Sequence, residues 1–216
     1  MSTRSKSGLC INWKLYAITC PERLAGRDPV RVVEEVIEGG ADVVQLRDKT
    51  ASDEALTMLA RKLLVVTRRA NVPLVINDRL RVAKDSAADG FHMGQEDGTL
   101  SDAISELGPD RLYGRSTHSP EQVLAAAREG FDYIGVGPVY ETPTKAGRAA
   151  VGLELVRYAA DHSSLPFVAI GGVDETNVRH VREAGARCVA VVRALCGSGD
   201  PLLAAKRFKK VMGEVV

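Results

Sequence analysis

The chain has no continuous run of about 18 apolar residues, so no membrane span is expected. It also lacks an excess of charge of one sign. Its 29 Lys and Arg stand against 28 Asp and Glu, a formal net charge of +1, so no global field draws it to nucleic acid or a membrane surface. Its four cysteines, Cys10, Cys20, Cys188 and Cys196, include no C-x-x-C pair, which excludes the close spacing of a zinc or redox site. Free thiols in a cytoplasmic protein are expected, with Cys188 a small buried hydrophobe beside a strand. No low-complexity segment or second domain stands out. No apolar signal core follows the basic stretch "MSTRSKSG", so residues 1–12 are expected to be a flexible tail ahead of one domain over 13–216. What remains is an ordinary globular mix, 45% hydrophobic and 26% charged, in 216 residues.

Within that mix a pattern repeats: an apolar run, a polar end, then a helix-period segment. Eight runs read as strands: "KLYAIT", "DVVQLR", "PLVIN", "GFHMG", "RLYGRS", "DYIGVGP", "PFVAIGG" and "CVAVVR". Several are almost wholly apolar, as parallel strands covered on both faces are. The segments between them carry helix ends. Asp28-Pro29 opens one helix and Gly39-Gly40 closes it; Ser52 opens another. "SPEQ" at 119–122 reads as a capping box, Asp174 and Gly185 bracket Val178 and Val181, and Asp200-Pro201 opens the last helix. Eight strands alternating with helices and no linker predict a single (β/α)8 barrel of the α/β class. A doubly wound open sheet is the second choice.

Chemistry in a barrel sits where strands end. Strand two ends "VVQLRDK", where Gln45, Arg47 and Lys49 share one parity and face one side. Lys49 alone would read as a solvated charge, and Asp48 as its neighbour's partner. Strand three ends "INDR" and strand four "MGQEDG". Asp78 and Asp97 are each explained by helix capping, or together by a hard cation such as Mg2+, which takes one or two carboxylates plus substrate phosphate oxygens. Strand five ends "GRSTHS": Ser116 at the mouth, Ser119 a cap, and His118 either in the site or orienting loops. The other histidines have no polar cluster beside them in sequence. Strand six runs into "GPVYETPTKAG", two hydroxyls and an ammonium leaving a buried strand together. Strand seven ends in Gly171-Gly172, a tight turn or a place where backbone N–H groups approach an anion, and strand eight follows with "VVRALCGSG". Loops after strands seven and eight form the recurrent phosphate site of barrels. One anion cradle near Gly172 and Val192, and a second cluster of Arg47, Lys49, Lys145, Asp78 and Asp97, suit two phosphorylated ligands.

Taken in order, "VQLRDK", "INDR", "GQED", "GRSTH", "GPVYETPTKAG" and "AIGG" resemble the thiamine phosphate synthase family and its relative, the thiazole tautomerase, from "LYAIT" at 15–19 to "VVRAL" at 191–195. The resemblance implies a (β/α)8 transferase that joins hydroxymethylpyrimidine diphosphate to thiazole phosphate and releases pyrophosphate. It implies that Gln45, Leu46, Arg47, Asp48, Lys49, Asn77, Ser116 and Lys145 contact the pyrimidine diphosphate, with Arg47, Lys49, Ser116 and Lys145 catalytic. Thr142, Pro143, Thr144, Gly172, Val192 and Arg193 would surround the thiazole phosphate, and Asp78 and Asp97 would hold Mg2+. Many members have serine where this chain has Arg193. The absence of a nucleophile–base pair agrees with chemistry that needs no strong base. Small phosphorylated substrates, no nucleic acid and no membrane are the expected partners, with homo-oligomerisation left open. A tautomerase relying on His118, or a regulatory barrel that only binds thiazole phosphate, are the alternatives.

Overall fold

Eight parallel strands close on themselves in chain order. They are β1 (Leu15–Thr19), β2 (Val43–Leu46), β3 (Leu74–Asn77), β4 (Gly90–Met93), β5 (Leu112–Thr117), β6 (Tyr133–Val136), β7 (Phe167–Ile170) and β8 (Cys188–Val191). The computed structural model describes residues 10, 12–21, 24, 26–142 and 149–213. Pairing of β1 with β8, Leu15 opposite Val189, closes the ring and excludes the open sheet. The architecture is a single (β/α)8 barrel, with each of the eight expected runs a strand.

The helices begin where the local chemistry directs. Among the described residues they are α1 (Pro29–Glu38), α2 (Asp53–Arg69), α3 (Leu80–Ser86), α4 (Leu100–Leu107), α5 (Pro120–Glu129), α6 (Gly152–His162), α7 (Val178–Glu183), α8 (Arg193–Cys196) and α9 (Pro201–Gly213). Asp28 accepts from Val30 N at 3.2 Å and Ser52 from Ala55 N at 3.2 Å, each satisfying an orphan donor of the first turn. Ser119 caps α5, but Gln122 turns its side chain to the His118 N–H at 2.7 Å, so the expected reciprocal box is half-formed. Asp200 receives Leu203 N at 2.9 Å. The α8 turn after β8 is an element that the sequence reading left as loop. No described helix is long and apolar enough to cross a membrane.

Alternation along each strand divides the apolar residues into two layers. Outward residues such as Ala17, Val44, Leu46, Ile76, Ile134 and Ala169 pack under the helices in the main core. Inward residues form a smaller cluster that plugs the lower barrel: Trp13, Tyr16, Val43, Val75, Leu112, Tyr133, Val168 and Cys188, with Cys10 beneath. Trp13 stands edge-on to Tyr16 and Tyr133, with ring centroids 5.9 and 5.4 Å away. Cys10 and Trp13 thus join the barrel floor on either side of the boundary expected at residue 12. Cys188 is buried, as are the other three cysteines, and none of the four is in a disulfide.

The lower rim repeats one device. An aspartate stands just before β2, β4 and β6 and accepts an N–H from the start of the preceding strand. Asp42 takes Lys14 N and Leu15 N at 2.7 and 2.9 Å, Asp89 takes Leu74 N at 2.9 Å, and Asp132 takes Tyr113 N at 2.8 Å. Lys209 on α9 adds an ion pair to Asp42 at 2.7 Å, tying the last helix to the first two strands.

Candidate active site

Above the plug the barrel opens into a cavity of about 360 Å³ at the C-terminal ends of the strands. Gln45 and Arg47 line it, as their shared parity predicts, because Arg47 N continues the ladder to Thr19 O at 3.0 Å. Arg47 is only 7% exposed. Its guanidinium contacts Cys20 Sγ at 3.8 Å, and among the described residues no carboxylate forms an ion pair with it. Burying a cation without an anion is costly, and this one faces the cavity.

Lys49, the third residue of that parity, is exposed and does not line the cavity; its charge is felt at Asp78. Leu46 points into the outer core, offering the cavity no side chain. Asp48 is committed to its own turn: Oδ1 accepts from Thr50 N at 2.8 Å, Thr50 Oγ1 at 2.9 Å and Ala51 N at 2.9 Å. Burial pushes its carboxyl up, and those hydrogen bonds more than offset this and hold it below the ordinary range. The side chains of Leu46 and Asp48 are therefore directed away from any ligand in the cavity.

Asp78 and Asp97 do not cap helices. The residue before α3 is Arg79, with no side-chain cap, and α4 is capped by Thr99, which shares a capping box with Asp102. Asp78 holds a left-handed backbone, φ 58°, which is uncommon for a residue with a side chain. Asp97 Oδ2 accepts Gly94 N at 2.6 Å. Arg115, lying over the Phe131 ring, holds this loop through Gly98 O at 3.1 Å and Gln95 O at 3.3 Å. The Asp97 carboxyl is near enough to act on that of Asp78. Burial first, and then Asp97, push the Asp78 carboxyl above its ordinary 3.8. They stand at the rim beside Asn77, which lines the cavity.

Ser116 and His118 also line the cavity. His118 Nδ1 donates to the carbonyl of Gly137, so it orients the β6 loop as well as facing the space. His92 lines the cavity too, bonded to Ser116 Oγ at 2.9 Å and Tyr133 Oη at 3.2 Å. The sequence reading passed over His92, Tyr16 and Tyr133. Inward parity on β4, β1 and β6 was the available signal, but their polar neighbours lie on other strands.

On the opposite arc, Thr142, Gly172, Val192 and Arg193 line the cavity. Pro143, Thr144 and Lys145 lie outside the described residues. Gly171 and Gly172 have φ 103° and 65°. A Cβ on Gly172 would sit 2.7 Å from Tyr140 Cβ and 2.9 Å from Glu141 O, so this turn needs glycine for close approach as well as for φ. Arg193 starts α8, exposed, near Asp174. The Asp174 carboxyl is held low by Thr176 Oγ1 first, at 2.6 Å, with Arg193 a smaller contributor.

Residues 15–195 match the family model described as thiamine monophosphate synthase. A thiamine-phosphate synthase of Shouchella clausii is 42% identical over 94% of this chain and 97% of its own length. Another, of a Nostoc species, is 46% identical over 88% of this chain but only 53% of its own length. A solved thiamine phosphate pyrophosphorylase of Pyrococcus furiosus is 33% identical, with a TM-score of 0.86, over 95% of this chain and 98% of that one.

Proposed function

The chain belongs to the thiamine monophosphate synthase family, and from that premise we propose how its residues divide the reaction. The enzyme is a transferase: it joins 4-amino-2-methyl-5-(diphosphooxymethyl)pyrimidine to 4-methyl-5-(2-phosphooxyethyl)thiazole, giving thiamine phosphate and pyrophosphate. One C–O bond breaks at the pyrimidine methylene and one C–N bond forms from the thiazole nitrogen. The attacking nitrogen brings its own lone pair, so no enzymatic base is needed.

The observation that carries the division is Arg47, buried at the cavity wall without a carboxylate partner among the described residues. It holds the diphosphate and stabilises the charge that gathers there as the C–O bond loosens. Lys145 adds a second cation, and Lys49 supplies positive charge from the rim. Gln45, Asn77 and Ser116 orient the pyrimidine. Across the cavity, Gly172, Val192 and Arg193 hold the thiazole phosphate with Thr142, Pro143 and Thr144, so both reacting ends meet over the barrel axis.

Asp78 and Asp97 fit a divalent cation. They are two hard oxygen donors near each other, and the Asp78 carboxyl is raised by burial first and by Asp97 second, both of which a bound cation would offset. Mg2+ suits a site with two carboxylates and open positions for phosphate oxygens and water. When bound it would neutralise charge on the departing diphosphate. A cytoplasmic location is in keeping with four cysteines that form no disulfide.

The purified protein, given both substrates and Mg2+, should release pyrophosphate in step with thiamine phosphate, and neither substrate alone should yield it. No pyrophosphate from the complete mixture would overturn the reading.

A further inference from the structure

A continuous chain of hydrogen bonds crosses the barrel beneath the ligand cavity. Gln45 Nε2 donates to Tyr16 Oη at 2.8 Å, Tyr16 Oη meets Tyr133 Oη at 3.0 Å, Tyr133 Oη meets His92 Nδ1 at 3.2 Å, and His92 Nε2 meets Ser116 Oγ at 2.9 Å. Five strands contribute, and Gln45, Tyr16, Tyr133 and His92 are all buried. Inward glycines make the space: a Cβ on Gly114 would lie 2.6 Å from Tyr133 Oη, and one on Gly135 would lie 3.4 Å from His92 Cε1.

One sense of the chain satisfies a count of protons. Each phenol has one hydrogen to give, and burial keeps both phenols protonated by pushing them above their ordinary value of 10. With Gln45 donating to Tyr16, every link keeps one donor when the Tyr16 proton goes to Tyr133 and the Tyr133 proton to His92 Nδ1. The ring proton of His92 then rests on Nε2 and is donated to Ser116 Oγ. With that lone pair occupied, the Ser116 hydroxyl turns its own hydrogen toward the cavity.

We propose that Tyr16, Tyr133 and His92 form a one-way relay that fixes Ser116 as a hydrogen-bond donor to the pyrimidine substrate. The three are positioning residues, acting through Ser116. Both ends of the relay, Gln45 and Ser116, line the cavity, so the relay couples their hydrogen-bonding senses. A ligand with an acceptor at Ser116 finds the chain already set. One presenting only a donor there leaves the Ser116 hydrogen without an acceptor in the cavity, or requires every link to reverse. The relay would thus select for an acceptor atom at that point, and this reading rests on the assignment of Ser116 to the pyrimidine substrate.

The first test is independent of turnover. Nitrogen-15 NMR of the His92 ring in the ligand-free protein should show a neutral imidazole with hydrogen on Nε2; hydrogen on Nδ1 would overturn the relay whatever the protein catalyses. The second is a double-mutant cycle. Tyr133→Phe should raise KM for the pyrimidine diphosphate by about 5- to 10-fold, the scale of one hydrogen bond, with KM for the thiazole phosphate unchanged. In a Ser116→Ala background the same change should have little further effect. His92→Gln, which can accept from Tyr133 and donate to Ser116, should retain more activity than His92→Leu. Additive effects of Tyr133→Phe and Ser116→Ala, or equal loss in both His92 variants, would contradict action through Ser116.

Discussion

The two ends of the barrel use aspartate in opposite ways. At the lower rim Asp42, Asp89 and Asp132 each receive a backbone N–H from the preceding strand. These carboxylates are satisfied, and they staple strand to strand. At the upper rim Asp78 and Asp97 lie against each other, with Asp78 in a left-handed backbone and its carboxyl pushed up. Crowding of this kind costs stability in the ligand-free protein and suits a site that binds a cation. The lower end therefore serves the fold and the upper end the chemistry, the division expected of barrels.

The largest effect that would separate the ends is loss of the buried cation at the top. Arg47→Ala should lower turnover at saturating substrates by about 100-fold or more, the scale of losing a preorganised charge partner, while melting changes little. Near-normal turnover would remove Arg47 from the diphosphate site. Asp42→Ala should do the reverse. Loss of two backbone N–H partners and the Lys209 pair should cost about 1–3 kcal/mol in denaturant unfolding. Turnover of the folded variant should stay within about twofold, since surface-to-site coupling at this distance is small. A large fall in turnover would break the comparison.

A subtler contrast concerns pH. The folded state holds the Asp78 proton more tightly than the unfolded chain, whose value is near 3.8. The stabilising contribution is therefore full below that value and is lost as pH rises through the raised one. In chelator, Asp78→Asn should melt higher than the parent at neutral pH, and the gap should close on acidification. A gap that widens in acid would contradict the crowding. The smallest effect is expected at Arg193, which is exposed. Arg193→Ser should weaken thiazole phosphate binding by about two- to fivefold and flatten its salt dependence; unchanged affinity and salt slope would mean that the guanidinium serves Asp174 instead.

The closed barrel was legible in the sequence because the strands are short and mostly apolar and several are followed by helices with a side-chain cap, all local signals. The Gln45 and Arg47 positions followed from parity alone. Lys49 did not, because the ladder ends before it and its side chain leaves for solvent. Leu46 and Asp48, assigned through the resemblance, are turned toward the core and a local turn by the same alternation. The choice between capping and metal binding at Asp78 and Asp97 was closed to sequence, since each stands one or two residues ahead of the position that proves to precede a helix, Arg79 and Thr99. The tyrosine–histidine chain was invisible for a different reason: Tyr16, His92 and Tyr133 are far apart in the chain, and only barrel closure brings them together.

The central claim is that the upper aspartates and not the nearby histidine distinguish this enzyme's chemistry. Pyrophosphate release from both substrates, with Mg2+ and with chelator, tests it for the parent, Asp78→Asn, Asp97→Asn and His118→Ala. The parent should lose activity in chelator, each aspartate variant should fall by about 10- to 100-fold, on the scale of a perturbed metal site, and His118→Ala should fall less. Full activity in chelator, or a His118 variant that is inactive while both aspartate variants work, would contradict the account and favour proton transfer on the thiazole.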